Sequence, residues 1–158
     1  MIKSFEIIGA YHAPKGKRKA TKCFPGLNEM VGKDYYVYAN LKRKYTDIAM
    51  RKIKLQLNGY KAKGRVRLHY HFGEPLDGSY RDYGNISGGA SKIIEDALQK
   101  AKVIENDSPK YLAPSKYTYI YTKDKPFIKV EIEEIGPLVE IKDIGQEEYF
   151  YEQRVRRG

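Results

Sequence analysis

The 158-residue chain has one cysteine, no tryptophan and three histidines. With Cys23 alone, neither an internal disulfide nor a multi-thiolate zinc cluster can be assembled, which points to a reducing compartment. No apolar stretch approaches the roughly 20 residues of a membrane helix. The opening MIKSFEIIGA lacks the extended apolar region of a secretory signal. A cytoplasmic protein without a membrane partner is therefore expected. The glycine-rich segment 84–89 has neither the Lys-Ser/Thr ending of a phosphate loop nor dinucleotide glycine spacing, so no nucleotide cofactor is expected. No Gly-x-Ser-x-Gly elbow occurs and Cys23 has no positioned partner, which leaves nucleophilic hydrolysis without support.

Apolar residues make up 41% and aromatics 13%. That is enough to bury a core in one domain of this length, despite a mean hydropathy of −0.67. The net charge of +10 is placed unevenly. Residues 1–70 hold 17 Lys/Arg against 4 Asp/Glu, a surplus of 13, while the remainder has a deficit of 3. A basic half draws polyanions, because each neutralised phosphate releases counterions. A solvated basic face explains the same charge without any partner.

SFEIIGA reads as a short strand leading into a basic loop, YHAPKGKRKATKCFPG. There Lys15, Lys17, Arg18, Lys19 and Lys22 follow no apolar period and are expected in water or on phosphates. Residues 35–38 fit either a strand or the start of a helix. Residues 39–58 predict a basic amphipathic helix with Leu41, Tyr45, Ile48, Ile53 and Leu57 inward, capped by Gly59. In GRVRLHYHF, Val66, Leu68, Tyr70 and Phe72 face one way and Arg65, Arg67, His69 and His71 the other, a strand with one buried face. His69 and His71 have the spacing of a metal-binding pair, yet no third ligand is evident nearby in the chain. Ile93, Ile94, Ala97, Leu98 and Ala101 mark a second helix. YTYIYT and FIKVEIEE around KDKP predict a hairpin whose Tyr117, Tyr119 and Tyr121 share a face, more in keeping with packing than with base stacking. Residues 136–158 read as an appendage that adds at most a small strand and ends in Arg154, Arg156 and Arg157. The mixture predicts a single α/β (α+β) domain over 1–158, with a small mixed sheet, helices on one side and a C-terminal hairpin.

Within this basic chain three carboxylates bracket the second helix: Asp82 before it, Asp96 in it and Asp107 after it. If the flanking loops fold back, two of them could meet and hold Mg²⁺ through oxygen ligands. The run RDYGNISGGASKIIEDALQKAKVIENDSPKYL resembles the signature of the RusA-type Holliday junction resolvases. That family has an Arg-Asp-x-Asp-Asn element, a Lys several residues on, an Asp-Ala-Leu helix and a Val-Ile-x-Asp-Asp-Ser turn. The resemblance covers about residues 62–135. It implies Asp82 and Asp107 as metal-binding and catalytic carboxylates, Asp96 as the helix Asp, Lys92 as the catalytic Lys, and Asn85 as the Asn of the first element. The family's second Asp falls on Gly84, and Asn106 and Lys102 also depart from the pattern. Asp96, Asp77 and Glu74 are candidates for the missing oxygen ligand.

The resemblance further implies a bacterial or phage-encoded homodimeric endodeoxyribonuclease that nicks four-way DNA junctions with Mg²⁺ or Mn²⁺. In that setting Lys15, Lys17, Arg18, Lys19, Arg67, His69, Arg81 and Asn85 would contact DNA. The other reading is a non-catalytic DNA-binding module on the same fold, owing to Gly84.

Overall fold

The computed structural model describes residues 2–144. In chain order the elements are β1 (Ile2–Ile8), α1 (Leu27–Met30), α2 (Tyr35–Leu57), β2 (Arg65–Pro75), α3 (Tyr83–Lys100), β3 (Lys116–Thr122) and β4 (Phe127–Gly136), followed by a 3-10 turn at Ile141–Asp143. The fold is one four-stranded mixed sheet of order β1-β4-β2-β3 with three helices, a small domain of the expected α/β class. Of the appendage at 136–158, the described part holds the end of β4 and the 3-10 turn, and the residues from 145 onward, with their three arginines, lie outside the described residues.

Period-2 alternation builds the core face. Val66, Leu68, Tyr70 and Phe72 of β2, Ile128, Val130 and Ile132 of β4, and Phe5 and Ile7 of β1 are all buried. Onto this cluster pack Tyr45, Ala49, Ile53 and Leu57 of α2 and Ile86, Ala90, Ile93, Ile94, Ala97 and Leu98 of α3. The ambiguous residues 35–38 are helical. Asp34 starts α2 by accepting a 2.9 Å hydrogen bond from the Tyr36 N–H, and Asn58 closes the helix in the left-handed conformation. Leu41 and Ile48, expected inward, are only partly buried, because Ala49 takes the central contact instead.

The expected hairpin does not form. β3 pairs parallel with β2, Tyr70 opposite Tyr117, whereas β4 runs antiparallel between β1 and β2. The turn at 123–126 therefore carries the chain across β2 from one flank to the other. Aromatic packing decides this placement. Tyr117 stacks on Tyr70 at 5.6 Å, Tyr119 on Phe72 at 5.5 Å, and Tyr83 of α3 on Tyr119 at 4.3 Å. Such contacts hold β3 at the sheet edge, and Tyr117 and Tyr119 act in packing.

The glycines near the start of α3 serve close approach. A Cβ at Gly89 would meet the Pro25 carbonyl oxygen at 2.4 Å, and one at Gly26 would meet the Asn85 Oδ1 at 2.4 Å. The segment that resembles a phosphate loop in composition is thus the seat of α1 and the chain leading into it.

Candidate active site

The residues of the expected site lie at the two ends of α3. Asp82 is its N-cap residue, exposed, with a side chain that makes no capping hydrogen bond. The segment leading to it is fixed by a buried polar network. Arg81 grips Glu74 through two hydrogen bonds of 2.9 and 2.8 Å and donates a third, 2.9 Å, to the Phe24 carbonyl. Glu29 approaches the same guanidinium at 3.8 Å and is hydrogen-bonded to His12, whose other ring nitrogen meets the Tyr45 hydroxyl at 3.1 Å. Burial pushes the Glu29 carboxyl up. The hydrogen bond to His12, the Gly26 N–H and the charges of His12 and Arg81 outweigh it, and the group is held below its ordinary value. Lys22 belongs to this network as well, donating 2.6 Å to the Ser79 carbonyl and lying 3.5 Å from Asp77. It is buried, unlike the expectation that grouped it with the solvated lysines.

At the far end of α3 the charges are less well balanced. Asp96 pairs with Lys42 of α2 at 2.6 Å. Asp107, exposed in the loop after α3, acts electrostatically on both Lys42 and Glu95. Burial raises the Glu95 carboxyl. Its hydrogen bond from the Tyr70 hydroxyl works the other way, and the negative charges of Asp107 and Asp96 push it further up. The Lys42 ammonium is held above its ordinary value first by its hydrogen bond to Asp96, against the effect of burial. Lys92 is exposed one turn before Asp96, on the same side of the helix.

The expected metal set of Asp82, Asp96 and Asp107 is therefore divided. Asp107 and Asp96 share one neighbourhood, while Asp82 begins the helix 14 residues before Asp96, about 21 Å at 1.5 Å per residue. An uninterrupted rod between them is the physical reason. Gly84 is exposed, and a Cβ there would meet nothing within 4 Å. Glu74, a candidate for the missing ligand, is committed to Arg81, and Asp77 to Lys22 and the Ser79 N–H.

Among the expected DNA contacts, Lys15, Lys17, Arg18 and Lys19 lie exposed in the first loop. Arg81 and Asn85 do not belong with them. Arg81 is spent on Glu74 and Phe24, and the Asn85 Oδ1 accepts 2.7 Å from the Asn28 N–H, docking α1 onto α3. Arg67 and His69 share the half-buried polar face of the sheet. Arg65 leaves that face at the bulge between Arg65 and Val66 and is buried, its Nε donating 2.9 Å to the Pro109 carbonyl.

That polar face also holds what the sequence reading lacked, a third group beside the two histidines. The antiparallel register sets Glu131 of β4 opposite His69. Among the described residues, His69, His71 and Glu131 are the one group of three or more His, Cys, Asp or Glu whose ligating atoms all lie within 4.8 Å. A search for ligands close in sequence misses Glu131, 60 residues beyond His71. The alternation in FIKVEIEE was the available signal, and assigning that strand to a hairpin with YTYIYT hid it. His69 Nε2 lies 2.7 Å from Thr118 Oγ1.

Among the described residues no helix is long and apolar enough to cross a membrane. Neither a protein-family model nor a curated protein sequence matches the chain.

Proposed function

We propose that the protein is a metal-dependent endodeoxyribonuclease that acts on branched DNA, in particular four-way junctions, as a homodimer in the cytoplasm. The observation that carries the reading is that Asp96 and Asp107 both act electrostatically on Lys42 and Glu95, in a chain whose first 70 residues carry a surplus of 13 positive charges. The resemblance of residues 62–135 to the RusA-type resolvases supports the reaction class independently of charge, although its first metal Asp falls on Asp82, apart from this group. Asp96 and Asp107 offer carboxylate oxygens, the ligand type of Mg²⁺ or Mn²⁺, and their negative charges add to the burial that raises Glu95, a repulsion that a divalent cation would relieve. Such an ion supplies charge neutralisation at the phosphate and an activated water.

Each chain element has a part in this reading. Asp96 and Asp107 would hold the cation, and Lys42, paired with Asp96 at 2.6 Å, would face the substrate phosphate. Lys92, one turn away, presents a second positive charge to the same phosphate. Lys15, Lys17, Arg18 and Lys19 of the first loop, with the exposed Arg43, Lys44, Arg51 and Lys54 of α2, track phosphates along the junction arms and set the register without reading sequence.

The test is a labelled four-way junction incubated with Mg²⁺ or Mn²⁺ and the wild type, Asp107→Asn, Asp96→Asn or Asp82→Asn. Metal-dependent paired nicks from the wild type, with Asp107→Asn and Asp96→Asn binding without cutting, support the proposal. Loss of cutting in Asp82→Asn alone would move the site to the other end of α3. The separation of Asp82 and the glycine at 84 favour a second reading, a non-catalytic DNA-binding module. Junction binding by all four proteins with no metal-dependent product would establish that reading. Failure to retard junction DNA even at low salt would overturn both.

A further inference from the structure

The polar face of the sheet carries a second set of ligating groups, on strands rather than on α3. Residues i and i+2 of a strand share a face, so His69 and His71 rise side by side, their ring centroids 4.0 Å apart and their planes 30° apart. The Glu131 carboxylate reaches both rings. Its Oε1 lies 2.5 Å from His71 Nε2 and 3.7 Å from His69 Nδ1. A tetrahedral zinc ion with bonds of about 2.0–2.1 Å holds its ligand atoms roughly 3.3 Å apart, so the two spacings straddle the required one and small side-chain rotations reach it.

The surroundings match such a site. When His69 Nε2 donates its proton to Thr118 Oγ1, 2.7 Å away, Nδ1 presents its lone pair to the cluster; zinc-ligating histidines are commonly oriented by an outer hydrogen bond of this kind. Two imidazole nitrogens select a borderline transition metal over Mg²⁺. A cavity of about 100 Å³ opens beside the cluster, bounded by Ile2, Arg67, His69, Lys116, Glu131 and Glu133.

We propose that His69, His71 and Glu131 form a three-ligand site for Zn²⁺, with the fourth position opening into this cavity. Three protein ligands leave that position for water or a small anion. The site is separate from the carboxylates of α3 and does not depend on the nuclease reading.

The experiment uses the full chain stripped of metal and titrated with Zn²⁺ by calorimetry, with Co²⁺ absorption reporting coordination geometry. The expected result is one Zn²⁺ per chain and a four-coordinate Co²⁺ spectrum. His71→Ala and Glu131→Gln should each weaken affinity by more than about a hundredfold, with a smaller loss of roughly tenfold in Thr118→Val, as for other outer hydrogen-bond partners. Asp96→Asn and Asp107→Asn should leave the histidine-dependent binding step unchanged. Circular dichroism checks that each variant is folded. Should His71→Ala not fold, the histidine ring resonances of the wild type decide the matter: Zn²⁺-induced shifts at His69 and His71 sustain the proposal, and shifts confined to His12 overturn it. Absence of saturable Zn²⁺ binding by the wild type, or undiminished binding by folded His71→Ala, would also overturn it.

Discussion

The two ends of α3 treat charge in opposite ways. At the N-terminal end every ionic group of the network is answered: Arg81 by Glu74 and a carbonyl, Lys22 by Ser79 and Asp77, Glu29 by His12. At the C-terminal end Asp96 and Asp107 act on Lys42, and the same two charges add to the burial that raises Glu95. Answered, buried charge specifies how the loop 9–26, α1 and the segment 74–82 fit together. Crowded charge of one sign is the kind of arrangement that a cation completes. Charge balance therefore separates scaffold from candidate site here, although one sequence signature runs through both.

The largest expected effect breaks the comparison on the scaffold side. Arg81→Leu strands Glu74, whose side chain is only 5% exposed, as an uncompensated buried charge. A loss of about 3–5 kcal/mol follows for a buried pair broken on one side. Lys42→Ala breaks a pair in which both side chains are about a third exposed, and should cost less than about 1 kcal/mol. Urea denaturation of the two variants measures both, and equal losses would erase the distinction between the ends.

A smaller effect, with a defined pH window, comes from Glu29. Its carboxyl is held below the ordinary value in the folded state, so the unfolded chain binds the proton first as pH falls. The stabilisation is fully present above the unfolded value, about 4.3 for a Glu. It disappears as pH drops through the folded value. A hydrogen bond to a charged group contributes on the order of 1.5–3 kcal/mol, so Glu29→Gln should be less stable than wild type by about that much at neutral pH. The gap should close in acid. Chemical denaturation at neutral pH and below pH 4 checks this, and a gap that persists in acid would show that the Glu29 charge is not its source.

How much of this was legible in the sequence follows from how local each signal is. The stripes at Ile93, Ile94, Ala97 and Leu98 and at Val66, Leu68, Tyr70 and Phe72 needed only periodicity, and both elements form with those faces inward. The pairing of β3 with β2 depends on aromatic contacts between segments nearly 50 residues apart, which no short window contains. Arg81 and Asn85 misled for a related reason. Their partners Phe24 and Asn28 become neighbours only when the first loop folds over the start of α3, and Glu74, seven residues before Arg81, is met only when the chain doubles back from the end of β2. Glu131 was missed because a strand register had to be known before its carboxylate could be placed against His69.

Gly84→Asp sharpens the contrast at lower energy. The position is exposed in the first turn of α3 and a Cβ there meets nothing, so the side chain fits without displacement. Replacing a helical glycine removes a cost of roughly 0.5–1 kcal/mol, and a carboxylate near a helix N-terminus interacts favourably with its dipole. The repulsion from Asp82 offsets part of this. Thermal unfolding should show a modest gain in stability. Junction cleavage should stay unchanged, because the new carboxylate lies about 18 Å along the helix from Asp96. A rise in cleavage would place the working site at the N-terminal end.

The smallest effect probes the crowded end directly. Asp107→Asn removes one of the charges that raise Glu95. Relief of a like-charge contact of this kind is worth roughly 0.2–0.5 kcal/mol and the lost attraction to Lys42 offsets it, so the metal-free variant should be nearly as stable as the wild type. The magnitude is close to the limit of measurement, and the informative quantity is its dependence on Mg²⁺. A cation that binds only the folded carboxylates raises wild-type stability in proportion to its occupancy. Asp107→Asn should lose that increment while Asp82→Asn keeps it. The difference comes from position, since both variants lose one exposed carboxylate and change net charge equally. An Mg²⁺-dependent shift of equal size in both variants would instead reflect general screening of a charged surface and would leave the acidic end of α3 without a bound ion.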